Sequence, residues 1–376
     1  MLLRMQGEFA ASNHTFELAK QRMHKLYGVS VSEQIGSVII NDGRRQYVGE
    51  EFEQVLLHVY MALNYLEMNE PDAARVEALQ VNLKLRQFDK KIHKQKYTED
   101  AFARYLSGLI YEAHGEWSDA MIEYRRAYRA YREYRKYYSL DMPQTLQHAL
   151  VTMSDWLGLE AERSRYQQEF GIDDWRSADE LYSHGELVFV LHNGLAPVKR
   201  EDSVILPTPG THTLVKVALP FYQSRTSPAK GARLRVDGEV VPMDLVEDVN
   251  AIAIRNLEVK MPAIQARALS RAGIKGAVAH ALKQNDQWLL GLIVELSGLA
   301  TEHADTRSWI TLPHNIYLAR VPLVPGSYTV RLELLDRYDS VLEEHIFHDV
   351  VITAAQKTFL SHHWVVPTHL LFEGYR

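Results

Sequence analysis

The stretch Gly108-Leu109-Ile110-Tyr111-Glu112-Ala113-His114-Gly115-Glu116-Trp117-Ser118-Asp119-Ala120-Met121-Ile122-Glu123-Tyr124-Arg125-Arg126-Ala127 decides the fold of the first half of the chain. Gly115-Glu116 interrupts a helical pattern with a residue that adopts left-handed backbone at no steric cost. Small residues then recur at Ala120 and Ala127, with Tyr124 between them, where a second helix crosses the first. Gly108 and Tyr111 hold the matching close-contact positions on the first helix. The spacing returns at Gly7-Glu8-Phe9 with Ser12, Phe16 and Ala19, and at Asn69-Glu70 with Ala74, Ala78 and Val81. The sequence therefore predicts repeated helix-turn-helix units.

Small residues and an aromatic at these offsets follow the tetratricopeptide (TPR) pattern. Units of this kind cannot bury their apolar faces alone; they stack and leave a curved surface that holds a partner protein. The expected fold class is α+β: a TPR-like helical repeat domain over residues 1–172, then a β-sandwich-like domain over 173–376 with a helical insertion at about 248–300. Tyr60, Tyr65, Tyr105 and Tyr111 are the candidate groove residues, because aromatic side chains supply contact area at little rotamer cost. The alternative places them between stacked helices. Leu2, Leu3 and Met5 read as the last turn of a first helix whose earlier turns lie upstream of Met1.

Apolar residues at three- and four-residue intervals, among them Phe52, Leu56, Val59, Tyr60, Leu63 and Leu66, predict an amphipathic helix over 47–68. Pro71 suits a first helical turn, and further helices are expected over 72–94, 99–113, 118–137 with Ser118 as N-cap, 143–158 and 160–170. The segment 27–45 reads as an irregular connection. After a short helix over 175–182, strands are expected at 186–192, 213–219, 315–321, 327–335 and 344–352, with a hairpin turning at Asp237-Gly238. A helix is predicted from Asp248 or Pro262 to Lys283. The apolar run 288–299 is too short for the roughly 20 residues that span a bilayer.

Composition narrows the function only modestly. The 376 residues suffice for two domains, and 46% hydrophobic content is ordinary for a globular protein. A net charge of -6 gives no overall attraction for nucleic acid. The basic, tyrosine-rich run from Arg125 to Lys136 has the make-up of a phosphate-tracking surface, weighed against a solvated helix face. Absence of cysteine excludes disulfides and thiolate metal sites. No secretory signal pattern opens the chain.

No phosphate loop, dinucleotide fingerprint, nucleophile elbow or paired-histidine protease helix is present. No catalytic residue and no cofactor is expected. Among 17 histidines, His345, His348, His362, His363 and His369 crowd the C-terminal part, but adjacent strand positions point to opposite faces, which argues against a metal site. Asp305, Arg307 and Trp309 form the densest polar group of the second half and are the candidate ligand-binding residues, weighed against an ion pair that fixes a loop. Glu247, Asp248 and Asn250 read as a cap for the following helix.

The stretches Gly185 to Val188, His192 to Lys199, Val217 to Pro220, Glu247 to Ala253 and Ala304 to Trp309 with Leu312-Pro313 resemble an uncharacterised family of Gram-negative bacterial proteins. Members are typically predicted lipoproteins with a TPR-like front half. The resemblance implies a periplasmic, outer-membrane-associated location through a lipid anchor upstream of Met1, although this chain has no cysteine. It further implies protein partners in the envelope and a peptidoglycan-related role. The expected function is a non-enzymatic scaffold, the competing class being a glycan-binding or hydrolytic protein acting through Asp305, Arg307 and Trp309.

Overall fold

Four turns of one geometry organise the first half of the protein. The computed structural model describes residues 1–33, 47–91, 99–207, 214–271 and 303–366. Helices pair as α1 (Leu2–Met5) with α2 (Phe9–Glu33), α3 (Glu51–Glu67) with α4 (Pro71–Lys91), α5 (Ala101–Ala113) with α6 (Trp117–Tyr138), and α7 (Gln144–Trp156) with α8 (Glu160–Phe170). Each pair turns on one left-handed residue: Gly7 (φ 79°), Asn69 (56°), Gly115 (72°) and Gly158 (66°). The following amide reaches back five residues in every case, from Glu8 to Leu3 (2.9 Å), Glu70 to Tyr65 (2.8 Å), Glu116 to Tyr111 (2.9 Å) and Leu159 to Ser154 (2.8 Å). This is the Schellman closure, which satisfies carbonyls that a helix end leaves free.

The fourth turn lacks the acidic residue and the small-residue spacing that mark the other three in the sequence. Two further readings are corrected. Helix α2 continues through Gly28 to Glu33, and α6 begins at Trp117 behind Glu116, so Ser118 lies inside the helix and not at its cap.

Successive pairs stack, α2 against α3, α4 against α5 and α6 against α7. The second helices α2, α4, α6 and α8 are also tied together by side chains: Lys20 to Glu77 (3.6 Å), Asn82 to Glu123 (2.7 Å) and Tyr128 to Glu169 (2.8 Å). Within the third pair the crossing is tight. A Cβ on Gly108 would lie under 3.0 Å from the Tyr124 ring. Helix α3 is buried around nearly its whole circumference, as its apolar composition requires.

After the short helix α9 (Ala178–Ser183), strand β1 (Gly185–Asn193) enters a four-stranded sheet. Its order is β10 (Lys357–Trp364), β1, β7 (Asn315–Leu323), β6 (Asp244–Asp248); β10 is parallel to β1, and the other pairings are antiparallel. A second sheet has the order β5 (Glu239–Pro242), β4 (Gly231–Val236), β8 (Gly326–Leu335), β9 (Val341–Ile352). Strands β2 (Val198–Pro207) and β3 (Leu214–Gln223) form a separate pair. The β4–β5 hairpin turns at Asp237 (φ 52°) and Gly238 (φ 83°), as the sequence predicts. Helix α10 (Val249–Arg271) starts directly after β6 and runs through Pro262, and Asp248 accepts from the Ala251 amide at 2.8 Å. The expected 288–299 segment lies outside the described residues. Among the described residues no helix is long and apolar enough to cross a membrane.

Side-chain alternation explains why β1 is buried at every position. Leu187, Phe189 and Leu191 join Tyr317, Ala319 and Val321 in an apolar core shared with Leu234, Val330, Leu332 and Leu334 of the second sheet. Val188, Val190, Ile316 and Leu318 face the other way, into a core shared with the stacked helices. The first sheet is the middle layer of the molecule, and the hydrophobic core runs without a break from the helices into it.

Candidate functional site

The helix-facing side of the middle sheet is apolar at its centre and ionic at one end. Register places Glu186 of β1 beside Lys357 of β10, and Val188 beside Arg320 of β7. Glu112 comes down from α5 to meet them. Arg320 donates from Nε and Nη2 to the two oxygens of Glu186, both at 2.9 Å, and from Nη2 to Glu112 at 2.9 Å. Lys357 bridges the same two carboxylates, Arg176 adds a bond to Glu186, and the Tyr124 hydroxyl donates to Glu112.

Burial works against charge on all of these groups, and mutual pairing overcomes it. Burial raises the Glu186 carboxyl, but Arg320, Lys357 and Arg176 outweigh it and hold the group well below the usual range. Glu112 is lowered in the same way by Arg320 and Lys357. Arg320 moves well above its ordinary value because Glu112 and Glu186 outweigh its desolvation.

A cavity of about 420 Å³ opens over this cluster. Arg320 and Glu186 form part of its lining, together with Thr145 and His148 of α7, Asp174 and Asp244. The first turn of α7 follows Pro143, which supplies no side-chain cap; the Thr145 amide donates instead to Asp244 at 2.8 Å. Near the cluster, three buried polar atoms, Arg320 Nη1, Thr145 Oγ1 and Tyr105 Oη, have no partner of full hydrogen-bond geometry among the described residues. Burial pushes the Tyr105 phenol up while nearby Arg320 and Thr145 pull it back, so the three groups are neighbours short of hydrogen-bond geometry. Burial also lowers His148. The arrangement is suited to binding: its floor carboxylates are held ionised and hydrogen-bonded. Among the described residues no three metal-ligating side chains converge.

The candidate groove tyrosines are placed differently from the groove expectation. Tyr60 and Tyr105 are fully buried, Tyr111 is buried and Tyr65 is half-buried. Tyr60 lies against the protein's own sheet, its hydroxyl 3.3 Å from His192 Nδ1, and Tyr105 packs on Tyr124 with ring centroids 5.8 Å apart. Tyr131 likewise donates to the carbonyl of Val246 at 2.8 Å. The helical face that was to hold a peptide from elsewhere holds this chain's own strands, because only that contact buries both apolar faces at once.

Asp305 and Arg307 pair with each other, at 2.8 and 2.7 Å, as in the loop-fixing alternative. Trp309 turns inward, edge-on to Phe16 at 5.6 Å and to Tyr60 at 6.1 Å, while its amide donates to Glu53 at 2.7 Å and its indole N–H to Thr311 at 2.9 Å. Trp309 ties the loop to α3, and Asp305 and Arg307 pair within the loop. His362 and His363 diverge as strand geometry demands, His362 lying tilted against His345 with ring centroids 4.2 Å apart and His363 near His192. Burial pushes His362 down to about 4 and His363 to about 3. On α6, Arg125 pairs with Glu162 and Arg126 with Glu123, while Tyr124, Tyr131 and Tyr134 are buried. The run packs the helix through its tyrosines, while Arg129, Arg132, Arg135 and Lys136 lie on its exposed face.

Glu112, Glu186, Arg320 and Lys357 were missed in the sequence because they lie on four separate elements. One signal was available: Arg320 interrupts the apolar strand pattern of 315–321, and a charge inside a buried strand requires a partner. No protein family, curated protein or solved structure matches the chain in comparisons made at the sequence and fold levels.

Proposed function

We propose that the protein is a non-enzymatic scaffold of the bacterial cell envelope, with TPR-like hairpins that meet a protein partner on their outward face. In this reading the stacked hairpins are degenerate TPR-like units and the two facing sheets a sandwich-like pair. The inner face is spent on the protein's own sheet. The observation that carries the proposal is a stripe on α4, where Val76, Leu79 and Leu83 lie 51%, 41% and 56% exposed at i, i+3 and i+7. Leu18 on α2 and Ile122 on α6 are exposed as well, on helices tied to α4 by side chains. An apolar stripe at this spacing fits the apolar face of a partner helix. The resemblance to envelope proteins supports the compartment, with a lipid anchor upstream of Met1 and peptidoglycan as a further contact.

Site-specific photocrosslinking in the native cell tests the partner surface, with a probe at Leu79 and a control probe at Arg165, an exposed position on α8. A discrete protein adduct from position 79, absent at 165 and lost when Val76 and Leu83 are changed to serine, is expected. No adduct, or the same adducts at both positions, removes the proposal. The competing reading is a glycan-binding protein acting through Asp305, Arg307 and Trp309; the scaffold reading is preferred because Asp305 and Arg307 pair with each other and Trp309 packs edge-on to Phe16 and Tyr60.

A further inference from the structure

The outward face of the second helices carries charge in a fixed relation to its apolar stripe. Arg75 reaches Glu116 and Asn82 reaches Glu123, each at 2.7 Å and each 41 positions on, so α4 and α6 run parallel in one register. On that register Ile122 lies beside Val81, between the levels of Leu79 and Leu83, and Arg129 lies close to the level of Arg86. Exposed Arg86 continues the Val76, Leu79 and Leu83 face of α4 at the same helical spacing, as exposed Arg129 continues the face of Ile122 on α6. Helix α2 repeats the order, with exposed Leu18 followed by exposed Arg22 and Lys25. An aliphatic field therefore gives way to a cationic one along all three helices.

Neighbouring carboxylates are already engaged: Glu17 with Lys20, Glu123 with Arg126 and Glu133 with Lys136. Among the described residues Arg22, Lys25, Arg86 and Arg129 have no carboxylate partner, with exposed Asp89 the acidic side chain next in line on α4. The patch is cationic on a chain whose net charge is -6, so its sign selects among partners locally. Lipid surfaces are held by exposed Trp and Phe together with cations. The field contains aliphatic side chains and, among the described residues, no exposed aromatic; Tyr137 lies about two turns beyond Arg129. Aliphatic anchors at i, i+3 and i+7 match a helix-to-helix contact instead.

Building on the scaffold reading, we propose that this face takes an amphipathic partner helix with an acidic flank. Its apolar side lies on Val76, Leu79 and Leu83, and its Asp and Glu side chains meet Arg22, Lys25, Arg86 and Arg129.

The photoadduct formed from position 79 is digested, the crosslinked partner segment is sequenced by mass spectrometry, and that segment is synthesised and titrated with the full chain by fluorescence anisotropy. Apolar residues at i, i+3 or i+4 and i+7 are expected in it, flanked by a surplus of Asp and Glu. Its affinity should fall about tenfold from about 50 to about 300 mM salt. Arg86→Glu combined with Arg129→Glu should weaken it about tenfold or more at the lower salt, while circular dichroism stays unchanged. A neutral or basic segment, or an acidic one indifferent to salt and to the charge reversal, overturns this inference and leaves the scaffold reading standing. Absence of any adduct from position 79 removes both. Sedimentation of the full chain with phosphatidylglycerol vesicles, lost on the same charge reversal and without a protein adduct, would assign the face to a lipid surface and likewise overturn it.

Discussion

Substituting Gly108 by alanine probes the helix crossing on which the whole helical half is built. The added Cβ would come under 3.0 Å from two atoms of the Tyr124 ring and 3.2 Å from a third. Tyr124 cannot retreat: it is fully buried, packs on Tyr105 and donates to Glu112, which is itself anchored by Arg320 and Lys357. Overpacking of this kind costs about 1–3 kcal/mol. Alanine returns about 0.5–1 kcal/mol through the lower conformational entropy of the unfolded chain in a helix interior. The net expectation is a loss of about 1–2 kcal/mol. Equilibrium urea unfolding followed by far-ultraviolet circular dichroism reads it as a lower midpoint at unchanged slope. Adding Tyr124→Leu to Gly108→Ala should cost less than the sum of the single changes, since the clash then has no partner. A Gly108→Ala protein as stable as the parent, or more stable, refutes the close crossing.

Gly158→Ala isolates backbone strain from packing, because no atom lies near its Cβ position and only the φ of 66° is unfavourable; about 1 kcal/mol should be lost in the same urea assay. Glu112→Gln leaves Arg320 and Lys357 short of an anion in a buried site, and a loss of about 3–5 kcal/mol is expected from the urea midpoint. Glu247 is fully buried, and desolvation together with Asp100 and Asp248 raises its carboxyl well above the usual range. Unfolding therefore releases a proton at any pH between the unfolded value, about 4.3, and the raised folded one. Stability should fall as pH rises through that window, by at most about 1.4 kcal/mol per pH unit from this group. Glu247→Gln should flatten the dependence between pH 5 and 8, and an unchanged profile of urea midpoints would show that the group does not titrate this way.

Much of the local structure was legible. The turns at Gly7, Asn69 and Gly115 announce themselves because left-handed backbone favours glycine and asparagine, and Asp237-Gly238 does the same for a hairpin. The turn at Gly158 carries only the glycine, and its hairpin packs without the small-residue stripe. Strand β10 escaped notice because Lys357, Ser361, His362 and His363 obscure the apolar alternation; each is accommodated by a partner from elsewhere in the chain. Glu247 read as a helix cap from its neighbours, whereas the irregularity between Leu245 and Glu247 accompanies its burial against the helices.

Residue order alone was enough to specify helices in pairs, the turns between them, and a strand buried along its whole length, since these follow from backbone sterics and local periodicity. It could not say what the inner face of the helices would meet. An apolar stripe with tyrosines is equally suited to a foreign peptide or to the chain's own sheet, and the choice depends on contacts between residues more than a hundred positions apart, such as Tyr60 with His192 and Glu112 with Arg320. Those contacts filled the expected groove, drew Trp309 against the core, and gathered charges from four separate elements at the floor of a cavity.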